Sequence, residues 1–132
     1  MQSILLMKSK ISTNEQATNE LLEMALIGNV DEYTISINTN DGGYIPHFHI
    51  KDSNSNGKKF HTCVKIEKPE YFHHTGKEGV LNSKLRKELV NFLQSETELG
   101  TTHWKYLVAT WNKNNSNRKL PIEIAMPDYT LL

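Results

Sequence analysis

Apolar residues near the start of the chain recur with helical spacing. Ala17, Leu21, Met24, Ala25 and Leu26 follow a Ser12–Glu15 pair with the Ser-x-x-Glu pattern of a capping box. The pattern predicts a helix over residues 13–27, stopped by Gly28. The period then changes. In residues 31–38, "DEYTISIN", Tyr33, Ile35 and Ile37 alternate with Thr34 and Ser36. The turn-rich "TNDGG", then "YIPHFHIKD", "SNSNG" and "KKFHTCVKIE" continue in the same style. Three antiparallel strands are predicted, at 32–38, 44–52 and 58–66. Pro46 has no N–H to give to a ladder, so it marks an edge or an interruption.

Helical spacing returns after the irregular "KPEYFHHTGKEG". Leu85, Leu89, Phe92 and Leu93 predict a helix over 83–96, with Gly100 beyond it. Trp104, Leu107, Val108 and Trp111 fall at i, i+3, i+4 and i+7 of a helix over 102–113, capped by Thr101 or Thr102. The short connection makes these two a helical hairpin. In the tail, residues 117–132, a short edge strand is expected at 121–125, and Pro127 favours a docked end. The expected fold is α+β: one domain over 1–132, with a three- to four-stranded antiparallel meander. An N-terminal helix and a C-terminal helical hairpin pack on one face of the sheet.

Composition adds limits rather than a function. A chain of 132 residues suits one domain, and 37% apolar residues can build a core. The 15 basic and 15 acidic side chains cancel overall but not locally. Residues 1–40 hold two Lys and five Asp/Glu, net −3, whereas residues 41–92 hold nine Lys/Arg and six Asp/Glu, net +3. An anionic partner would therefore meet the middle of the chain. A lone cysteine, Cys63, excludes an internal disulfide and a Cys-rich zinc site. The first apolar run, Ile4–Met7, is too short for a secretory or membrane segment, so a soluble cytoplasmic protein is expected.

Strand parity sorts the hairpin residues into two faces. Pro46, Phe48, Ile50, Phe60, Thr62, Val64 and Ile66 share an apolar face, expected to meet the helices. Ile45, His47, His49, Lys51, Lys59, His61, Cys63 and Lys65 share the other, expected to lie away from the core. Pairing Asp52 with Lys58 would set His49 opposite His61 and His47 opposite Cys63. A slip of one residue would turn His61 into the core, so parity is well specified.

Four readings of the histidine face stay open. It can be an ordinary solvated sheet face. It can bind phosphate or nucleic acid through His47, His49, Lys51, Lys59, His61 and Lys65, with Tyr71, Phe72, His73 and His74 at the strand exit to stack on bases. It can hold zinc or another divalent transition metal on His47, His49, His61 and Cys63, since His-x-His on a strand aims two imidazoles the same way. Or the histidines can act as metal-free acid and base. The expected function is a binding or regulatory module that presents the His/Lys face to nucleic acid or a protein partner and needs no cofactor. The alternative is a His-dependent or metal-dependent hydrolase, most plausibly a nuclease. Trp104 and Trp111 are expected to be core or partner-interface anchors.

From Gly42 to about Asn114, a Gly-Gly pair, the Pro46-His47-Phe48-His49-Ile50 hairpin, its return strand and two helices with Trp in the second follow in order. This arrangement resembles a small bacterial family with a Pro-Pro-His-Val-His hairpin, often assigned to type II toxin–antitoxin loci. The likeness implies a mobile-element or toxin–antitoxin setting and no particular activity. Here Ile45 replaces the first proline, and the N-terminal helix and C-terminal tail have no counterpart.

Overall fold

The computed structural model describes residues 24–39, 45–73 and 79–132. They form a four-stranded antiparallel sheet in the order β1-β2-β3-β4, with β1 Met24–Val30, β2 Tyr33–Asn38, β3 His47–Asp52 and β4 His61–Lys65. Two helices follow, α1 Ser83–Gln94 and α2 His103–Asn114, then short 3₁₀ turns at Ser116–Arg118 and Tyr129–Leu131. The class is α+β, as the alternation of periods predicts.

β1 is a correction. The predicted helix lies largely outside the described residues, but its last part, from Met24, is strand. Val30 pairs with Tyr33, leaving Asp31-Glu32 as a two-residue turn. Asp31 takes φ 54°, the left-handed conformation that such turns need and that Asp tolerates. Gly28 does not stop a helix. It follows a bulge between Leu26 and Gly28, and a Cβ there would come within 2.6 Å of the Phe92 ring. The glycine lets α1 approach the strand backbone.

Asn82 caps α1 by accepting from the Leu85 N–H at 2.8 Å, and Thr102 caps α2 by accepting from Lys105 N–H at 3.1 Å. Between the helices, Gly100 takes φ 82°, where a side chain would be strained. α2 lies against β1 and β2, and α1 against β1 and the C-terminal turn. Phe48, Ile50, Val64, Ile66, Ile35 and Ile37 of the sheet join Leu85, Leu89, Leu93, Trp104, Leu107, Val108 and Trp111 of the helices in one core cluster.

The tail is docked, but residues 121–125 are not a strand. Its carbonyls are used one at a time by side chains. Trp104 Nε1 donates to Ile124 O and Trp111 Nε1 to Arg118 O, both at 2.8 Å, while Asn112 both donates to and accepts from Leu120. Tyr129 is fully buried, and its hydroxyl donates to Lys65 O at 2.8 Å. Burial raises that phenol's pKa, so it remains a donor.

Candidate metal centre

Asp52 fixes the hairpin that carries the histidines. Its backbone N–H donates to Phe60 O at 3.1 Å, and its carboxylate accepts from Phe60 N at 2.9 Å, Ser55 N at 2.9 Å and the Ser55 hydroxyl. The Ser55 hydroxyl and these N–H groups lower its pKa to about 2. Residues 53–59 therefore form the loop, with Asn56 and Gly57 at positive φ. Asp52 faces Phe60 rather than Lys58, so the register differs by two residues from the expected one. His49 pairs with Cys63, His47 with Lys65 and Lys51 with His61. An even shift preserves parity, so His47, His49, Lys51, His61, Cys63 and Lys65 still share a face.

That face is not the wet side of the sheet where the histidines lie. His47 is 1% exposed, His49 2% and Cys63 0%, while His61 is half-buried. Phe72 explains part of this: its ring centroid lies 4.7 Å from His47, and that of Trp111 lies 5.7 Å away. Phe72 reaches His47 because the chain doubles back along β4, with Val64 bridged to Tyr71 and Phe72 N–H donating to Cys63 O at 2.8 Å. The expected stacking platform thus serves as a wall. Tyr71 also has a structural job, since its hydroxyl accepts from Leu81 N at 2.8 Å. His73 is exposed, and His74 lies outside the described residues.

The lysines separate from the cluster. Lys59 is exposed in the loop rather than on the strand face. Lys65 pairs with Glu70 at 2.7 Å, and the Lys51 stem lies beside Gly57. These placements bring no lysine ammonium into the described His/Cys contacts, so none of those contacts sets a like charge against a cation.

The donor atoms converge instead. His49 Nδ1 is 2.9 Å from His61 Nε2 and 3.3 Å from Cys63 Sγ, and His61 Nε2 is 4.0 Å from that sulfur. Metal–nitrogen bonds of about 2.0–2.1 Å and a metal–sulfur bond of about 2.3 Å put the donors of a tetrahedral site roughly 3.3–3.6 Å apart. The observed triangle brackets that spacing. His47, His49 and Cys63 form a second, overlapping group whose donor atoms lie within 4.8 Å of one another. His47 Nδ1 sits 2.7 Å from Ile45 O. A carbonyl only accepts, so Nδ1 carries the proton and Nε2 is the nitrogen suited to a metal. Backbone orientation of this kind is common behind metal-binding histidines. Imidazole and thiolate suit zinc, cobalt or copper rather than magnesium or calcium.

Pro46-His-x-His and His61-x-Cys63 carried this signal in the sequence. The role of Phe72 did not, because it depends on the chain's return along β4. No described helix is long and apolar enough to cross a membrane. No protein-family model, curated protein or solved structure matches the chain.

Proposed function

We propose that the protein is a metal-binding module for a zinc-class divalent ion, with His49 and Cys63 at its centre between β3 and β4 and His47 and His61 on either side of them. One observation carries this reading: two imidazole nitrogens and a thiol sulfur meet at 2.9–4.0 Å on one face, two of the three residues fully buried and His61 half-buried. Burying polar groups is costly unless they are hydrogen-bonded or bound to an ion. His49 already hydrogen-bonds His61 and Cys63, and a bound ion would replace those contacts with coordination and add its binding energy to folding. The binding or regulatory role expected from the sequence is kept, with an ion as the ligand in place of a nucleic-acid strand, which could not reach His47 or His49 as they are placed. The Pro46-His47-Phe48-His49 likeness supports a mobile-element or toxin–antitoxin setting. A cytoplasmic location belongs to the same proposal.

Elemental analysis of untagged protein, stripped with chelator and reloaded with zinc, tests the reading. The expected result is near-stoichiometric zinc that is lost in Cys63→Ser and His49→Gln. Equal retention by both variants, or no zinc in the wild type, would contradict it. RNA or DNA cleavage that requires the reloaded ion would extend it to the nuclease alternative.

A further inference from the structure

We infer that uptake and retention of the ion are divided between two histidines: His61 captures it at the solvent side, and His47 holds it inside. This rests on the metal reading above and assigns separate roles within that site. The four donors form two overlapping triplets that share His49 and Cys63. In the outer one, His61 Nε2 lies 2.9 Å from His49 Nδ1 and 4.0 Å from Cys63 Sγ. The inner one replaces His61 with His47.

The two histidines differ in access. His61 is half-buried at the first position of β4, beside the 53–59 loop, whereas His47 is 1% exposed. A hydrated ion is too large to enter a packed interior, so it must exchange its first water for a donor that solvent can reach. Among the four, His61 is that donor. Its backbone is already fixed, because Asp52 bonds Phe60 on one side and Gly79 N–H donates to His61 O at 3.0 Å. Capture therefore needs only a side-chain movement.

His47 has the opposite character. Its ring is oriented by Ile45 O at 2.7 Å and packed near Phe72 and Trp111. A ligand held this way loses little freedom on binding and gives the ion no easy route out. His49 and Cys63 take part in both triplets, so they are common to capture and retention.

The test is stopped-flow uptake of Co(II) by chelator-stripped protein, paired with chelator competition for affinity. His61→Gln is expected to slow uptake and release together by about tenfold or more, leaving the equilibrium affinity within about threefold. Added free imidazole should restore the uptake rate of His61→Ala. His47→Gln is expected to leave uptake unchanged and speed release, weakening affinity by at least about tenfold, since a donor to the ion is lost where loss of a mere supporting group already costs roughly ten- to a hundredfold. Melting curves identify any variant that has not folded, and His61 carries the test because its side chain is already half-exposed. If His61→Gln weakens affinity as much as His49→Gln without slowing uptake, His61 is a resident ligand and the division of roles is wrong. Wild-type kinetics in His61→Gln overturn it as well. Failure of the wild type to bind Co(II) or zinc at all would instead remove the metal reading itself.

Discussion

At their centres, the two faces of the β3–β4 hairpin are buried to the same degree by opposite chemistry. On one face Phe48, Ile50, Val64 and Ile66 are 0–1% exposed, and on the other His47, His49 and Cys63 are 0–2% exposed. Hydrocarbon burial on the first face is favourable in itself, at roughly 25 cal/mol per Å². Imidazole and thiol burial is not, so the second face must be stabilised by specific partners or by a ligand. Equal burial therefore has different meanings: the first face explains why the chain folds, and the second asks what the fold is for.

The comparison breaks most sharply at Phe48. Phe48→Asp puts an unpaired charge into the hydrocarbon face, and a loss above about 4 kcal/mol is expected, enough to unfold a domain of ordinary stability. Urea unfolding measures it. A folded, cooperative Phe48→Asp variant would show that the faces are assigned wrongly.

Trp104→Ala is expected to cost about 3–5 kcal/mol. The side chain is 7% exposed and its indole N–H holds Ile124 O, so truncation empties core volume and releases the tail. An unshifted thermal melt would make Trp104 a surface anchor instead of a core residue.

Thr62 sharpens the comparison from within. It is fully buried on the hydrocarbon face, and its hydroxyl makes no hydrogen bond among the described residues. Thr62→Val should stabilise the protein by about 1 kcal/mol, because a desolvated hydroxyl is replaced by a methyl of similar size. Destabilisation in urea would mean that the hydroxyl has a role.

Two smaller effects concern the hairpin's tip and rim. Folding lowers the Asp52 pKa from 3.8 to about 2, so the carboxylate's contribution is present above pH 3.8 and is lost as pH falls toward 2. The stability difference between wild type and Asp52→Asn, followed by melting temperature, should be flat above pH 5 and shrink through that window. A difference that grows on acidification would contradict the assigned role. Lys51→Asp, half-exposed beside Gly57, should change stability by no more than about 0.5 kcal/mol in the same urea experiment as Phe48→Asp.

Strand parity was legible in the sequence, because alternation is a local property of "HFHIKD" and "FHTCVKI". So were α1 and α2, whose apolar stripes and caps lie within a few residues of one another. The register was not legible. It is set by the Asp52 carboxylate holding Ser55 and Phe60, and the sequence shows only a polar loop. Residues 24–27, which are strand, read as the end of the 13–27 helix because Met24, Ala25 and Leu26 suit either period. The deciding facts are the pairing with β2 and the packing of Phe92 on Gly28. The tail read as strand because its apolar residues alternate, yet indole and amide groups of α2 take its carbonyls. For the candidate site, residue identities and their shared face were legible. Their burial was not, since Phe72 and Trp111 reach His47 only through the folded chain.

The proposed role of the buried polar face is to bind a transition metal through Cys63 and its neighbouring imidazoles. Titration of chelator-stripped, untagged protein with Co(II) tests it most directly, because thiolate ligation gives a charge-transfer band in the near ultraviolet that imidazole or carboxylate ligation does not. The expected band saturates at equimolar cobalt, is reversed by zinc and by falling pH, and is absent in Cys63→Ser. A spectrum indistinguishable from free hydrated cobalt, in wild-type protein that melts cooperatively, would contradict it.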